Sequence, residues 1–420
     1  MPGSASRKKS FIISVFLGGC ALALVVGIVR SPEEAFRASL GGLEIWWKTV
    51  FPGLLPPLML AELLAASGLL HGIAALGSPI FRRLFKLPPA AGWVAAFGWT
   101  AGMPAGARET ARLRERGLVR GREAESLLLL SHMPNPFLVI VVVGSGFLQA
   151  PAYGWAIAAG LWISGIATGM LWPRLSGSEP KSAEPSGEPP CDGDVPDQPS
   201  GSPLRRAFRA MQEARLADAR PFGKQTADAV TSAVATLFAI GGLMMMSAVL
   251  LRIVQTALPG TDAWLTVPSL YEMHLGAYAS GRSALFESAP AKAAALIAAA
   301  LAWSGVSGLL QARAAWSGTR FPWPRFIAGR LLHAALALVA TYPLAIAAER
   351  GWFAPLAPVW HGLAGPISAS EPAAGPLPSG WALLPGTTLA AIACLVIFVL
   401  LALLAALISP RRRGGDKRPK

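Results

Sequence analysis

The stretch GWTAGMPAGARETARLRERG, Gly98–Gly117, decides how the whole chain is read. It follows an apolar run and leads at once into dense charge. Three glycines and a proline (Gly98, Gly102, Pro104, Gly106) fall within nine residues, and Arg108 and Glu109 come directly after. In a water-soluble protein this would be an ordinary loop. In a membrane protein, backbone interrupted at membrane depth has to be buried in protein or line a cavity, because lipid offers it no hydrogen-bond partner.

Composition selects the membrane case. Of 420 residues, 53% are apolar and 14% are charged, and the mean hydropathy is +0.48. Long apolar runs in such a chain mark transmembrane helices. The net charge of +14 sits in short basic clusters. The positive-inside bias accounts for it, and nucleic acid is set aside as a partner. Cys20, Cys191 and Cys394 lie far apart with no CxxC pair, and the five histidines show no HExxH-like spacing. Neither a disulfide framework nor a metal site is expected. There is no Walker loop and no GxSxG elbow, so no enzyme and no cofactor are expected.

Apolar stretches fall at 11–29, 45–70, 88–101, 133–149, 152–172, 228–256, 289–310, 326–348 and 382–408. Several reach the roughly 20 residues that a bilayer requires. Arg7, Lys8 and Lys9 precede the first, which reads as an uncleaved signal-anchor helix. The groups Arg82/Arg83/Lys86, Arg108–Arg122 and Arg205–Lys224 and the tail at 411–420 read as cytoplasmic. Residues 176–203 are rich in Pro, Ser, Gly and acids and nearly free of large apolar side chains, the composition of a disordered linker. In the following LRRAFRAMQEARLADAR, Leu204, Phe208 and Met211 share a helical face among arginines, which suits a membrane surface or a solvated cytoplasmic helix.

The linker divides two halves that look alike. Val50–Leu70 and Thr236–Thr256 are each a long apolar helix with a proline or small-residue break near its start. The Trp99–Gly106 segment is matched by Trp303-Ser304-Gly305-Val306-Ser307-Gly308, with Trp, a hydroxyl residue and spaced glycines in the same order. Paired halves with Gly/Pro-interrupted hydrophobic segments point to a secondary transporter built from repeats.

Within that frame, Leu87–Ala101 is a helix that enters the membrane without crossing. Gly102 lets the chain turn, and Pro104 fits the first turn of a new helix through Ala107, Ala111 and Leu113. The helix N-terminus at the tip attracts anions, and Arg108 adds a planar donor fork suited to carboxylate. Arg112, Arg114 and Arg116 are assigned instead to a basic surface. In Ser131-His132-Met133-Pro134-Asn135-Pro136, two prolines open the backbone where Ser131, His132 and Asn135 supply polar groups. Asn135 would also serve as a helix cap near Phe137. In LYEMHLGAY, 270–278, Glu272 and His274 follow a proline and precede Gly276, as a binding acid or as an outer loop. Gln311 and Arg313 follow the Ser304–Gly308 tip as Arg108 follows Gly102, and Glu62 stands alone in an apolar run.

FPGLLPPLMLAELL, GMPAGARETARL, REAESLLLLSHMPNPF and WSGVSGLLQAR together resemble the sporulation integral membrane protein family of the YlbJ or SpoVV type, over roughly 40–345. The resemblance implies two nucleoside-recognition Gate domains, related to the repeats of concentrative nucleoside transporters. It also implies a role in moving dipicolinic acid from the mother cell towards the forespore across the outer forespore membrane. The carry-over falls on Gly102, Pro104, Gly106, Ser131, Asn135, Pro136, Glu272, Ser304, Gly305 and Gln311. This chain departs from the family pattern with His132 and Met133 before its Asn-Pro.

The expected fold is an all-α polytopic membrane protein with two related, inverted repeats and re-entrant helical hairpins. Its parts are a signal-anchor helix (1–39), a first Gate-like repeat (40–173), the linker with a short basic helix (174–224), a second repeat (225–348), and a loop, final helix and tail (349–420). With 88–101 and 289–310 both re-entrant, the number of crossings is odd, which conflicts with both termini being cytoplasmic. The expected substrate-binding residues are Gly102, Pro104, Gly106, Arg108, Ser131, Asn135, Glu272, Ser304, Gly305 and Gln311. The expected partners are the dipicolinate dianion, the lipid bilayer and other sporulation membrane proteins. Two alternatives stand beside this reading: an ion-coupled carrier of nucleosides or similar metabolites, and a non-transporting scaffold of spore assembly.

Overall fold

The computed structural model describes residues 4–119, 121–176, 202–257, 267–316 and 321–353. Most of the expected linker, the apolar run at 382–408, the basic tail, Cys191 and Cys394 lie outside the described residues. The described residues form helices joined by short non-helical breaks, with no strand among them. In order it forms α1 (Ser4–Arg30), α2 (Pro32–Ile45), α3 (Phe51–Ala66), α4 (Leu69–Ile80), α5 (Ala91–Ala101), α6 (Ala105–Glu115), α7 (Gly121–Ser131) and a π-wound stretch, Leu138–Phe147. Then follow α8 (Pro151–Leu175), α9 (Pro203–Asp218), α10 (Phe222–Ala257), α11 (Pro268–Tyr271), α12 (Met273–Gly281), α13 (Ala284–Ser288), α14 (Pro290–Trp303), α15 (Gly305–Ala315) and α16 (Trp323–Glu349).

Five stretches among the described residues are long and apolar enough to cross a bilayer: Pro32–Ala66, Pro151–Leu175, Phe222–Ala257, Pro290–Ala315 and Trp323–Glu349. Their side chains are distributed inside out relative to a soluble protein. On α16, Arg330, His333, Ala337 and Thr341 are buried, while Leu331, Leu338, Val339 and Tyr342 are exposed. The spacings of three and four residues place the polar groups on one helical stripe and the large apolar groups on the other. Only a hydrocarbon solvent makes that arrangement favourable. The inner stripe of α16 packs against α8. There a side-chain carbon on Gly160 would lie 2.0 Å from Thr341 Oγ1. The small residue admits the neighbouring helix where no apolar driving force exists between helices.

Several sequence expectations change in detail. The run at 45–70 has no break near its start: α2 continues through the π-wound turn Trp46–Val50 into α3, where Phe51 N–H donates to Trp46 O, five residues back. The winding widens just ahead of Pro52, which has no N–H to give. The run at 228–256 lies inside α10 and continues through Gly241 and Gly242. The run at 133–149 is not one span, because the backbone from His132 to Asn135 is non-helical. The expected helix Leu87–Ala101 starts later, at Ala91, and its 11 residues reach about 16 Å at 1.5 Å each, about half of a hydrocarbon core. On α9, Leu204 and Phe208 are exposed together, but Met211 and Ala207 turn towards α4 at Gly68 and Gly72.

Candidate functional site

Four interruptions of helical backbone carry most of the predicted residues. The first lies between α5 and α6. Gly102 takes φ +80, a left-handed value that favours glycine, and Pro104 immediately precedes α6 after a cis Met103–Pro104 bond. α5 and α6 fold back on each other and both pack on α7. Side-chain carbons on Gly98 and Gly106 would lie 2.3 and 2.2 Å from the Ser131 carbonyl oxygen, so the end of α7 is seated between the two helices. Thr110 Oγ1 lies 3.0 Å from Ser131 Oγ, and Trp99 Nε1 donates to Leu130 O at 2.8 Å. Gly106 thus makes room for backbone. The N–H groups of Gly106 and Arg108 already donate to Gly102 O and Pro104 O, so they are not free at the tip.

The second interruption runs from His132 to Asn135. Asn135 Oδ1 accepts from Leu138 N–H at 2.7 Å, and its Nδ2 donates to Ala101 O at 3.3 Å. The side chain caps the following helix and ties this break to the first one. A side-chain carbon on Gly102 would lie 3.1 Å from Asn135.

The third lies at Glu272. Its Oε2 accepts from Leu275 N–H at 2.8 Å, and its Oε1 lies 2.6 Å from His274 Nδ1, with both residues buried. When Glu272 is a carboxylate it only accepts, and Nδ1 is then the donor of this bond. Glu272 is therefore the cap of α12 as well as its buried acid. The fourth is at Ser304 and Gly305, with φ +70 and +68. A side-chain carbon on Gly305 would lie 3.0 Å from Glu272 Cα, so breaks three and four cross as breaks one and two do. The two Trp-led breaks differ in kind, however: α5 folds back on α6, whereas α14 and α15 hardly touch.

The breaks meet at a polar centre. A cavity of about 20 Å³ is lined by Ala101, Met103, Asn135, Met273 and His274 with Leu58 and Thr236, room for roughly one water. Beside it, a second of about 10 Å³ is bounded by Arg108, Glu62 and Ser232 and shares Leu58, Ala101, Met103 and Thr236. Ser232 Oγ donates to Glu62 Oε1 at 2.9 Å. Arg108 is half-buried and, among the described residues, its guanidinium makes no hydrogen bond. The guanidinium is thus a donor fork in reserve at the edge of an occluded space.

Of the predicted residues, Gly102, Pro104, Arg108, Asn135 and Glu272 with its partner His274 stand at or beside this centre. Gly106 and Ser131 build its support. Ser304 and Gly305 form the break that crosses Glu272. Gln311 is half-buried on α15 and borders neither cavity, and Arg313 is exposed, with Nη1 donating to Trp316 O. Sequence reasoning missed Ser232, whose hydroxyl only acquires meaning from α3 beside it. It also missed Arg330 and His333, although ionisable residues three apart in an apolar run are the signal applied to Glu62.

Helical breaks gathered around buried polar groups, inside helices that expose their apolar side chains, define an all-helical, polytopic integral membrane protein. The chain is 34% identical over 248 residues to the sporulation integral membrane protein YlbJ of Bacillus subtilis (strain 168), covering 59% of this chain and 57% of that relative. The matched part thus spans little more than half of the relative's length. No family model matches the chain, and no solved structure does.

Proposed function

We propose that this chain is a carrier of the sporulating cell that moves dipicolinate from the mother cell towards the forespore across the outer forespore membrane. Its architecture is that of two related, inverted Gate-like halves with re-entrant helical hairpins; the first is α5–α6, whereas the expected second, 289–310, falls in a stretch, Pro290–Ala315, that is long and apolar enough to cross. The observation that carries the reading is the meeting of interrupted helices from both halves at one centre, where Ala101, Met103 and Asn135 face Met273 and His274 across a single cavity. Interrupted helices paired between halves are the hallmark of binding at the bilayer midplane. The likeness to a sporulation integral membrane protein supports the cellular setting, and the family resemblance supplies the substrate. These two cavities are far smaller than an aromatic dicarboxylate, so in this reading the carrier is closed and Arg108 stands beside the space that opens.

The test is uptake of labelled dipicolinate into vesicles holding the purified full chain. Uptake that ignores excess uridine and is lost in Arg108→Ala is the expected result. Uptake of uridine in its place would move the protein to the nucleoside carriers. With no uptake of either, the carrier reading falls; a sporulation defect on deleting 176–203 would then favour a scaffold.

A further inference from the structure

Arg330 is the most unusual side chain among the described residues. It sits two turns into a 27-residue helix, has no exposed surface, and makes a single hydrogen bond, from Nη1 to His132 O at 2.7 Å. Its Nε and Nη2 have no partner, and it forms no ion pair among the described residues. Two acids of the helical bundle are engaged elsewhere. Glu272 holds His274 and Leu275, and Glu125 holds Arg325, five residues before Arg330. A guanidinium taken out of water without a counter-charge is strongly unfavourable.

Other orphaned polar groups surround the same point. His132 is fully buried with neither ring nitrogen partnered, and its ring stands edge-on to Phe326. Ser304 is fully buried and its Oγ has no partner. A side-chain carbon at Gly308 would lie 2.8 Å from Ser304 Oγ and 3.9 Å from His132 Nε2, so both groups border the space that this glycine leaves. Three orphaned groups, one of them a permanent cation, gather from α16, the break before Asn135 and the break before α15. Native interiors leave few such groups, and each calls for an explanation.

We infer that Arg330, with His132 and Ser304, forms a buried subsite for a carboxylate of the transported solute. The guanidinium offers two free donor directions, a geometry that fits a carboxylate edge. The Ser304 hydroxyl and a His132 ring N–H complete the donor set. The inference deepens the carrier reading and rests on it for the identity of the solute. Arg108 then marks the approach, and Arg330 the inner end of the path.

Binding is measured apart from uptake, so that the two readings fail separately. The full-length protein in detergent is melted with pyridine-2,6-dicarboxylate, with the neutral pyridine-2,6-dimethanol, and with sodium chloride at matched ionic strength. The expected result is a rise in Tm with the dicarboxylate alone, and its loss in Arg330→Met. The ligand-free Met variant should melt no lower than wild type, because removing an unpaired buried charge offsets the lost bond to His132 O. Ser304→Ala should weaken binding about threefold to tenfold, as the loss of one hydrogen bond does. A dicarboxylate shift retained in Arg330→Met, or an equal shift with chloride or the diol, overturns the subsite and leaves the carrier reading intact. A shift that depends on Arg330 without vesicle uptake keeps the subsite and removes the carrier. Should Arg330→Met not fold, Arg330→Lys decides: binding at least tenfold weaker supports the fork, and unchanged binding overturns it.

Discussion

Removing the Glu272 carboxylate should unlock the crossing of the third and fourth breaks. The carboxylate has two partners, Leu275 N–H at 2.8 Å and His274 Nδ1 at 2.6 Å, and both are buried. Glu272→Ala deletes a helix cap, about 1 kcal/mol, and a charge-assisted buried bond, about 1.5–3 kcal/mol. The sum is about 2.5–4 kcal/mol, a large fraction of a typical stability of about 5–15 kcal/mol. Glu272→Gln should cost less, about 1–2 kcal/mol, because its oxygen still accepts from Leu275 and its amide can donate to His274, while the imidazole proton moves to the buried, unpartnered Nε2. Equilibrium unfolding by SDS in mixed micelles reads both values. Adding His274→Ala to Glu272→Ala should cost less than the sum of the two, with a coupling of roughly 0.5–3 kcal/mol. The reasoning is refuted if Glu272→Ala unfolds with the wild type, or if Gln proves as harmful as Ala.

Gly106→Ala drives a carbon to within 2.2 Å of the Ser131 carbonyl and should cost about 1–3 kcal/mol. Gly223→Ala, with nothing within 4 Å, should be neutral or raise stability by up to about 1 kcal/mol; the same unfolding assay compares them. Ser232→Ala removes the hydrogen bond to Glu62 and should cost about 0.5–1.5 kcal/mol, and an unchanged SDS midpoint would refute that bond. At the corner between α9 and α10, hydrogen bonds from Arg220 lower the Asp218 carboxyl from 3.8 to about 2. Its contribution is therefore complete above about pH 4 and lost as the pH falls through about 2. Hydrogen exchange across Asp218–Lys224 should accelerate in that window, and Asp218→Asn should abolish the dependence.

Much of the helical layout was legible because its causes are local. Gly102 and Pro104 announce a turn through glycine's left-handed φ and proline's missing donor, and the turn is there. Asn135 announced a cap by its place ahead of Phe137, and it caps Leu138. What sequence could not show is which polar groups find partners. Glu272 is engaged through His274, two residues on, whereas Arg330 keeps two unpartnered nitrogens; GRLLH in an apolar run signals a buried ionisable pair but not whether it finds partners. The matched Trp-Gly segments hid a difference in packing, since the same residue types let α5 fold back on α6 yet leave α14 and α15 hardly touching. Whether a glycine turns a chain around or merely bends it depends on what packs outside it, here α7 between the arms of the first pair.

The Ser131 carbonyl lodged between Gly98 and Gly106 bears on how this protein moves. With Trp99 fixed to Leu130 and Thr110 beside Ser131, the segment 91–131 is keyed together at three points. Close-packed interfaces of this kind are bistable and do not deform gradually. A segment keyed in this way moves as one body if it moves at all. Leu58 of α3 and Thr236 of α10 face it across both cavities, so any widening of that space is a slip of the whole segment along these two helices.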